Sequence, residues 1–308
     1  MSAPEPAPRS LLRSFLRWSL IAAGLGLGSV FAILVVRPEV LLFHPSPDLA
    51  RTPDAIGWAY EALTLETEDG EQISAWYLEG PAASGDDPGG GLGDGRPSGL
   101  VALYLHGNAG NMGGRLAVLE GLRALGLSVL IIDYRGFGDS SGRPTVPGTH
   151  LDARAAWDHL VEVRGYAPGQ IVVWGRSLGG AVAIERAAAA SEAGTPPAAL
   201  VVESTFTSTI DIGLSVYPWL PIRRLGAKID YPSLARIAAV AAPLLLAHSP
   251  DDDLIPPSHG DALFEAARST PSATFEALDG GHNDGRLTDP DHRDAARVFL
   301  RALPVGPH

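Results

Sequence analysis

The chain has 308 residues, of which 45% are hydrophobic, so it is long enough to bury the core of one large domain. Its formal net charge of -12 argues against nucleic acid as a partner, because phosphate binding needs a basic surface. The absence of cysteine excludes disulfides, thiolate metal sites and cysteine nucleophiles.

The first predicted element is an N-terminal membrane helix. Residues 18–36, WSLIAAGLGLGSVFAILVV, carry no charge over nineteen positions, which is close to the length of a bilayer-spanning helix. Three arginines precede this run within residues 1–17, so the positive-inside rule predicts a cytoplasmic N-terminus and a periplasmic or extracellular remainder. A cleaved signal peptide is the alternative, but no small-x-small cleavage site follows Val36. We therefore expect a single-pass signal anchor.

The next elements are a hairpin and a loop. YEALTLE and QISAWYLE flank Asp69 and Gly70, and this pattern predicts a β-hairpin. Residues 81–99, PAASGDDPGGGLGDGRPSG, have low complexity and no apolar period. We expect them to form a flexible surface loop within the domain.

Five short apolar runs follow along the chain: LVALYL, SVLIID, IVVW, ALVVE and PLLLAH. Their richness in Val, Ile and Leu is typical of strands buried on both faces. Helical segments separate them, one from Arg115 to Leu125 and one after Thr149, which has capping-box spacing with Asp152. The alternation predicts an α/β fold with a mostly parallel central sheet, helices on both faces and the hairpin at its edge. Functional residues then belong at the carboxyl ends of the strands.

A serine stands between the run IVVW and an alanine-rich helical segment, in Gly175-Arg176-Ser177-Leu178-Gly179. A Gly-x-Ser-x-Gly turn from strand to helix exposes the serine hydroxyl above the sheet edge, and small residues on either side avoid a clash. A second match surrounds Ser140, but that serine lies several residues beyond its strand and just before Arg143-Pro144. Ser177 is therefore the candidate nucleophile, and Ser140 is expected to be a loop serine.

A serine nucleophile needs a base and a carboxylate that orients the base. His282, in LDGGHND after the strand-like ATFEAL, can reach the site edge, although a merely exposed loop histidine fits the same pattern. His44 lies near the predicted membrane segment and His292 near the C-terminal tail, so neither is chosen as the base. The acid is expected between the serine and the histidine in chain order, within PLLLAHSPDDDLIPP.

Two backbone amides are candidates for an oxyanion hole, which binds the negatively charged oxygen of an acyl-transfer intermediate. They are the N–H groups of Asn108, after LYLHG, and of Leu178, at the start of the predicted helix. His106, next to this loop, is expected to have a structural role.

The motifs taken in order resemble the α/β-hydrolase superfamily, specifically its Bem46-like membrane-anchored serine hydrolases. The resemblance covers roughly residues 42–303 and rests on LHGNAGN, DYRGFGDSSG, GRSLGG, VVESTFTS, HSPDDDLIPP and GGHND, with LLFHPS after the anchor. It implies the α/β-hydrolase fold, with Ser177 as nucleophile, Asp252 as acid and His282 as base. One departure is that His248-Ser249 stands where the family usually carries His-Gly.

Residues 206–242 lie where such a fold carries a cap, and they are long enough for two short helices. The aromatic and apolar side chains of Tyr217, Trp219 and Leu220 could line an acyl pocket or simply pack the cap onto the core.

The resemblance implies a hydrolase of carboxylic esters or thioesters that acts on a small-molecule or lipid-like acyl substrate, through an acyl-enzyme intermediate and without a cofactor. A serine peptidase of the same fold is the alternative, and a non-catalytic binding or scaffold protein is a third hypothesis that the full set of motifs disfavours. No metal site is expected, because the acidic run at residues 251–253 lacks the alternating ligand spacing and the glycine of a calcium loop. The sequence does not indicate an oligomeric state.

Overall fold

A computed structural model describes residues 9–81, 99–216, 218–219, 221–225, 229–284 and 287–304. The strands in these ranges are β1 (His44–Pro45), β2 (Glu61–Glu66), β3 (Gln72–Leu78), β4 (Val101–Leu105), β5 (Ala109–Gly110), β6 (Ser128–Ile132), β7 (Ile171–Arg176), β8 (Ala199–Glu203), β9 (Leu244–His248) and β10 (Ala273–Ala277). The helices are α1 (Arg9–Val36), α2 (Leu116–Ala124), α3 (Val146–Asp158), α4 (Leu178–Glu192), α5 (Thr209–Val216), α6 (Ile222–Leu225), α7 (Ser233–Ile237), α8 (Ser258–Ala266) and α9 (Pro290–Arg301). Most of the predicted loop, residues 82–98, lies outside the described residues.

The described ranges form a central sheet of eight strands in the order β10-β9-β8-β7-β4-β6-β3-β2. β2 and β3 pair antiparallel around the turn at Asp69-Gly70, and β3 also pairs antiparallel with β6. The remaining neighbours in the sheet all pair parallel: β6 with β4, β4 with β7, β7 with β8, β8 with β9, and β9 with β10. The mostly parallel sheet with a hairpin at its edge, as predicted from the sequence, is confirmed.

The parallel strands are apolar throughout because helices cover both faces of the sheet. On β4, Val101, Leu103 and Leu105 belong to the core cluster that includes α3 and α4, whereas Ala102 and Tyr104 belong to the cluster that includes α2 and α9. Full burial of each large side chain stabilises the fold by about 1.5–3 kcal/mol. Both clusters hold the strands in register, so the loops at their carboxyl ends start from fixed points.

Helix α3 begins earlier than the sequence predicts. Its N-cap is Thr145, whose side chain accepts a hydrogen bond from the backbone N–H three residues later, and Pro147 lies in the first turn. Thr149 and Asp152 are inside the helix, so the predicted capping box is wrong. The physical reason is that proline presets the backbone angle of a first helical turn, next to a threonine that can cap it.

The predicted cap region, residues 206–242, contains three short helices in its described part, α5, α6 and α7, rather than the two that were expected. Prolines separate them, because Pro221 immediately precedes α6 and Pro232 is the N-cap of α7. Each helix is therefore at most eight residues long.

Helix α1 spans the segment for which the sequence predicts a membrane anchor. Within the part of the chain that the structure describes, no helix is found with both the length and the apolar character required to cross a membrane. The span at residues 18–36 stays a prediction.

Candidate active site

Four loops converge at the carboxyl edge of the sheet. They follow β4, β7, β9 and β10, and they carry Asn108, Ser177, Asp252 and His282 respectively. Strands of a parallel sheet all end at the same edge, so residues far apart in the chain meet there. The sequence-predicted site residues on these loops are therefore brought together by topology alone.

Ser177 lies at a strained turn between β7 and α4. Its backbone φ is +55°, a value that a non-glycine residue rarely adopts. The turn is so tight that a Cβ added to Gly179 would lie 1.9 Å from the carbonyl oxygen of Leu105, and one added to Gly175 would lie 2.1 Å from the carbonyl oxygen of Gly179. Only glycine fits at both positions, and the serine side chain is left partly exposed at the sheet edge.

The three candidate side chains form one continuous set of contacts. Oγ of Ser177 lies 3.1 Å from Nε2 of His282. Nδ1 of the same imidazole lies 2.8 Å from Oδ2 and 3.1 Å from Oδ1 of Asp252. The histidine and the aspartate are buried, so water does not compete for the contacts between them. This geometry can hold an imidazole with its Nε2 lone pair directed at the serine hydroxyl.

The carboxylate of Asp252 is kept ionised by its partners. Burial raises its pKa, but hydrogen bonds from His282 and from the backbone N–H of Ile255 lower it more, and the net pKa is below the ordinary value. Oδ1 accepts from the N–H groups of Leu254 (3.0 Å) and Ile255 (2.7 Å). A charged acceptor therefore faces Nδ1 of the imidazole at neutral pH.

The neighbours of Asp252 have different surroundings. Asp251 and Asp253 are exposed, and Oδ1 of Asp253 accepts the backbone N–H of His282 at 2.8 Å. Ser249, which stands where the family usually has glycine, donates its hydroxyl to the carbonyl oxygen of Gly280. The substitution thus ties the loop after β9 to the loop after β10.

Asn108 and Leu178 line the same cavity as Ser177. Leu178 is the first residue of α4, so its N–H has no acceptor within the helix. The side chain of Asn108 donates to the carbonyl oxygen of Leu42 at 2.8 Å, and this contact fixes the loop that carries it. His106 is fully buried, with Nε2 3.1 Å from Oδ1 of Asp133, behind that loop.

Ser140 lies away from this edge. Its hydroxyl donates to the carbonyl oxygen of Asp133 at 2.7 Å and accepts the N–H of Ser74 at 2.8 Å. The first contact lies within the loop after β6, and the second joins this loop to β3. The serine is buried, and its hydroxyl is used in these structural contacts.

A cavity of about 370 Å³ opens beside Ser177. Its wall is mainly apolar and combines the segment after α1 with the cap, including Leu41, Phe206, Ile212, Val216, Ile222 and Ile229. Of the three predicted pocket residues, Trp219 is 77% exposed and is not among the side chains found on this wall. Tyr217 and Leu220 lie outside the described residues.

The chain resembles known proteins along most of its length. A family model described as serine aminopeptidase, S33, matches residues 95–222. The chain is 37% identical over 289 residues to an uncharacterized protein of Mycobacterium tuberculosis, covering 93% of this chain and 94% of that one. It is 32% identical over 242 residues to protein bem46 of Schizosaccharomyces pombe, covering 77% and 76% of the two chains. The chain belongs to the Bem46-like group of the α/β-hydrolase superfamily.

The chain is also similar to a relative named as a lipase and to a solved esterase structure. This Bem46-like chain is 35% identical over 186 residues to the lysophosphatidylserine lipase ABHD12 of Danio rerio, covering 56% of this chain and 48% of that one. An esterase of Pyrococcus furiosus superposes with a TM-score of 0.65 at 21% identity, covering 85% and 98% of the chains. That likeness confirms the α/β-hydrolase fold predicted from the sequence, and family membership places the chain among hydrolases.

Sequence reasoning missed a buried ionic network behind the site of this Bem46-like hydrolase. Arg176, the residue before Ser177, contacts Glu203 at 3.1 Å. Glu203 contacts His292 at 3.1 Å, and His292 contacts Glu276 at 2.9 Å. A usable signal was present, because Arg176 and Glu203 are charged residues at the ends of apolar strands, and buried charges need partners.

The network carries two strongly shifted groups. Burial lowers the pKa of His292, but hydrogen bonds to Glu203 and Glu276 outweigh it and raise the pKa to about 10. Burial raises the pKa of Glu203, but its contacts with His292 and Arg176 reduce it to about 2. Both groups are therefore charged at neutral pH, and the C-terminal helix α9 is held to the sheet by an ion pair.

We expect His292→Gln to destabilise the fold in a pH-dependent way. A histidine whose folded pKa is raised from 6.5 to about 10 stabilises the fold fully below pH 6.5, and this contribution is lost as the pH rises through about 10. Breaking a buried pair costs roughly 3–5 kcal/mol, so the unfolding free energies of the wild type and the variant should differ by that amount near pH 6 and converge toward pH 10.

Denaturant unfolding at several pH values measures this difference. Arg154→Gln is the matched control, since it removes an ion pair with Glu68 in which both side chains are more than half exposed, and it should cost less than about 1 kcal/mol. If the difference in unfolding free energy between the wild type and His292→Gln stays constant from pH 6 to pH 10, His292 does not carry a positive charge in the folded protein.

Proposed function

We propose that this protein is a serine hydrolase that cleaves carboxylic esters or thioesters through an acyl-enzyme intermediate. In this proposal Ser177 is the nucleophile, His282 the general base and Asp252 the acid that orients the base. The observation that carries it is the chain of contacts from Asp252 through His282 to Ser177, at the mouth of an apolar cavity. A serine, an imidazole and a carboxylate in this order are the parts that acyl transfer needs.

The reaction follows from the positions of the groups. Oγ of Ser177 attacks the acyl carbon while its proton moves to Nε2 of His282, and the resulting imidazolium is stabilised by Asp252. The imidazolium then gives this proton to the departing alcohol or thiol, leaving the acyl group on the serine. Water attacks the acyl carbon in the second half-reaction while its proton moves to the same nitrogen. The imidazolium then gives this proton to Oγ of Ser177 as the bond between Oγ and the acyl carbon breaks, so the carboxylic acid is released and the serine is free again.

The backbone N–H groups of Asn108 and Leu178 are proposed as the oxyanion hole. The N–H of Leu178 belongs to the first turn of α4, where the helix dipole also favours negative charge. Preorganised donors of this kind typically contribute a factor of about 10²–10³ each to turnover.

The substrate is proposed to carry a lipid-like acyl chain. The cavity next to Ser177 holds about 370 Å³ and its wall is mainly apolar, so it favours a hydrocarbon chain over a polar one. The relative named lysophosphatidylserine lipase supports a substrate of this class.

A series of p-nitrophenyl esters from acetate to palmitate tests the proposal. We expect hydrolysis, with kcat/KM rising from acetate toward medium-length chains as more apolar surface is buried, at about 0.8 kcal/mol per methylene. Ser177→Ala provides the background rate. A wild-type rate equal to that of Ser177→Ala with every ester would contradict an esterase.

A serine peptidase is the second candidate, favoured by the description of the matching family model. An aminopeptidase must bind the ammonium group of the substrate's N-terminus, for which a carboxylate in the pocket is the usual partner. In the described part of the cavity wall, no aspartate or glutamate is found. Aminoacyl p-nitroanilides are therefore expected to be cleaved far more slowly than esters, and the reverse order of rates would select the peptidase.

We also propose that residues 18–36 anchor the enzyme in a membrane, with the N-terminus in the cytoplasm and the hydrolase domain exported. The uncharged run and the arginines that precede it support this topology. Leu41 and Leu42, only a few residues beyond the run, lie on the cavity wall, so the cavity would open close to the bilayer from which a lipid-like substrate could enter.

Membrane fractionation tests the anchor. The full chain should remain in the pellet after a carbonate wash, and a C-terminal reporter active only in exported compartments should be active. A chain lacking residues 1–36 serves as the control and should be released by the wash. If expression of the full chain instead yields a soluble protein that begins near residue 40, the segment is a cleaved signal peptide.

A further inference from the structure

The loop that carries His282 depends on contacts from outside itself. It runs from Leu278 to Asp284 and contains two consecutive glycines, which leave its backbone with much conformational freedom. The side chain of Arg176 reaches this loop from the end of β7. Its Nη2 donates to the carbonyl oxygens of His282 (2.6 Å) and Asp284 (2.9 Å).

Arg176 is also rigidly connected to the nucleophile. It immediately precedes Ser177 in the chain and occupies the last position of β7, where it pairs in register with Glu203 of β8. The backbone of Glu203 accepts the N–H of Ser177 at 2.8 Å, while its side chain binds the guanidinium. One side chain therefore spans from the serine turn to the histidine loop.

The carboxylate of Glu203 is itself fixed. One oxygen accepts the indole N–H of Trp174 at 2.7 Å and contacts His292 at 3.1 Å, and the other contacts Arg176. His292 contacts Glu276 of β10 on its other side. The four charged side chains alternate in sign, and all but Glu276 are buried. Their mutual contacts therefore hold the side chain of Arg176 in one conformation.

We propose that Arg176 is a positioning residue that sets the distance between Ser177 and His282, and that the Glu203–His292–Glu276 chain holds its guanidinium in place. This inference rests on the proposed function. Arginine suits the task because its planar fork donates to a carboxylate and to backbone carbonyls in fixed directions, whereas a lysine ammonium is a single point of contact. The guanidinium is not found on the described cavity wall, so it acts on catalysis through the position of the histidine rather than by contact with the substrate.

The test compares Arg176→Gln with Arg135→Gln. Arg135 is also a buried arginine between two carboxylates, Asp69 and Asp152, but it binds the hairpin and α3 and lies off the cavity wall. Both variants are expected to lower the melting temperature. Only Arg176→Gln is expected to lower kcat, by about 100-fold per folded molecule, because a misplacement of about 1 Å costs that much.

The steady-state constants and the labelling rate separate positioning from simple destabilisation. For Arg176→Gln we expect KM for a p-nitrophenyl ester to stay within about twofold of the wild type, and the rate of fluorophosphonate labelling to fall with kcat. For Arg135→Gln both rates per folded molecule should be unchanged. A kcat for Arg176→Gln equal to that of the wild type, or an equal loss in Arg135→Gln, would overturn the proposal.

Arg176→Lys keeps the test decisive if Arg176→Gln does not fold. Its ammonium can neutralise Glu203 but cannot also reach both carbonyls, so kcat should fall about tenfold at constant KM. An unchanged kcat in this variant also overturns the positioning role. If the wild type neither labels nor hydrolyses esters, the proposed function fails, whereas an active wild type with unaffected Arg176 variants rejects this inference alone.

Discussion

Ser177→Ala is expected to abolish labelling by a fluorophosphonate probe and to lower ester turnover by about 10⁶-fold, as the loss of a serine nucleophile does in comparable triads. The reason is chemical: no other hydroxyl in the described part of the site lies within hydrogen-bonding distance of Nε2 of His282. Removing one oxygen atom from a partly exposed side chain should leave the fold intact, which a melting curve verifies.

Ser140→Ala is the matched control, since Ser140 stands in the same Gly-x-Ser-x-Gly pattern. Its hydroxyl bridges Asp133 and Ser74, so the substitution should cost about 1–3 kcal/mol of stability and leave labelling per folded molecule unchanged. Labelling that survives Ser177→Ala would reject the proposed mechanism. A wild type that does not label at all would instead favour a non-catalytic binding protein.

The sheet and the serine turn were predictable because their signals are local. An apolar run that ends in glycine, and a hairpin turn at Asp69-Gly70, specify strand ends without knowledge of the rest of the chain. Chain order and the convergence of parallel strands also predict that Ser177, a carboxylate of residues 251–253 and His282 lie at one edge of the sheet.

The cavity wall and the ionic network were not predictable because they depend on contacts between distant segments. Leu41 follows the predicted anchor and Ile222 lies in the cap, and no local pattern indicates that both face Ser177. The sequence indicates only that His292 lies near the C-terminal tail, whereas α9 packs against the sheet and places it between two carboxylates. The predicted start of α3 is wrong for another reason. Thr145 and Thr149 can both cap a helix, and Pro147, in the turn that follows Thr145, favours the earlier start.

The choice of one aspartate among three lies between these cases. In the family that the chain resembles, the acid lies four residues after the histidine that ends the strand. In this sequence that position is Asp252, four residues after His248. Consecutive residues point their side chains in different directions, so only one of the three can meet Nδ1 of His282. In the structure Asp252 is buried against the imidazole, while Asp251 and Asp253 are exposed.

Asp252→Asn is accordingly expected to lower turnover by about 10⁴-fold with little loss of stability. The amide oxygen can still accept from the N–H groups of Leu254 and Ile255, so the loop keeps its shape. The amide NH₂, however, would donate toward Nδ1 of His282 and leave the proton on Nε2, where the imidazole can no longer accept a proton from the serine.

The two neighbouring variants complete the argument. Asp251→Asn changes an exposed carboxylate, and Asp253→Asn retains an oxygen that can accept the backbone N–H of His282, so each should cost less than about tenfold in kcat. Steady-state kinetics on the three variants, each normalised to the folded fraction, measure the difference. If either outer variant were as inactive as Asp252→Asn while fully folded, the carboxylate that orients His282 would be that neighbour, and the loop after β9 would have to shift by one residue when substrate binds.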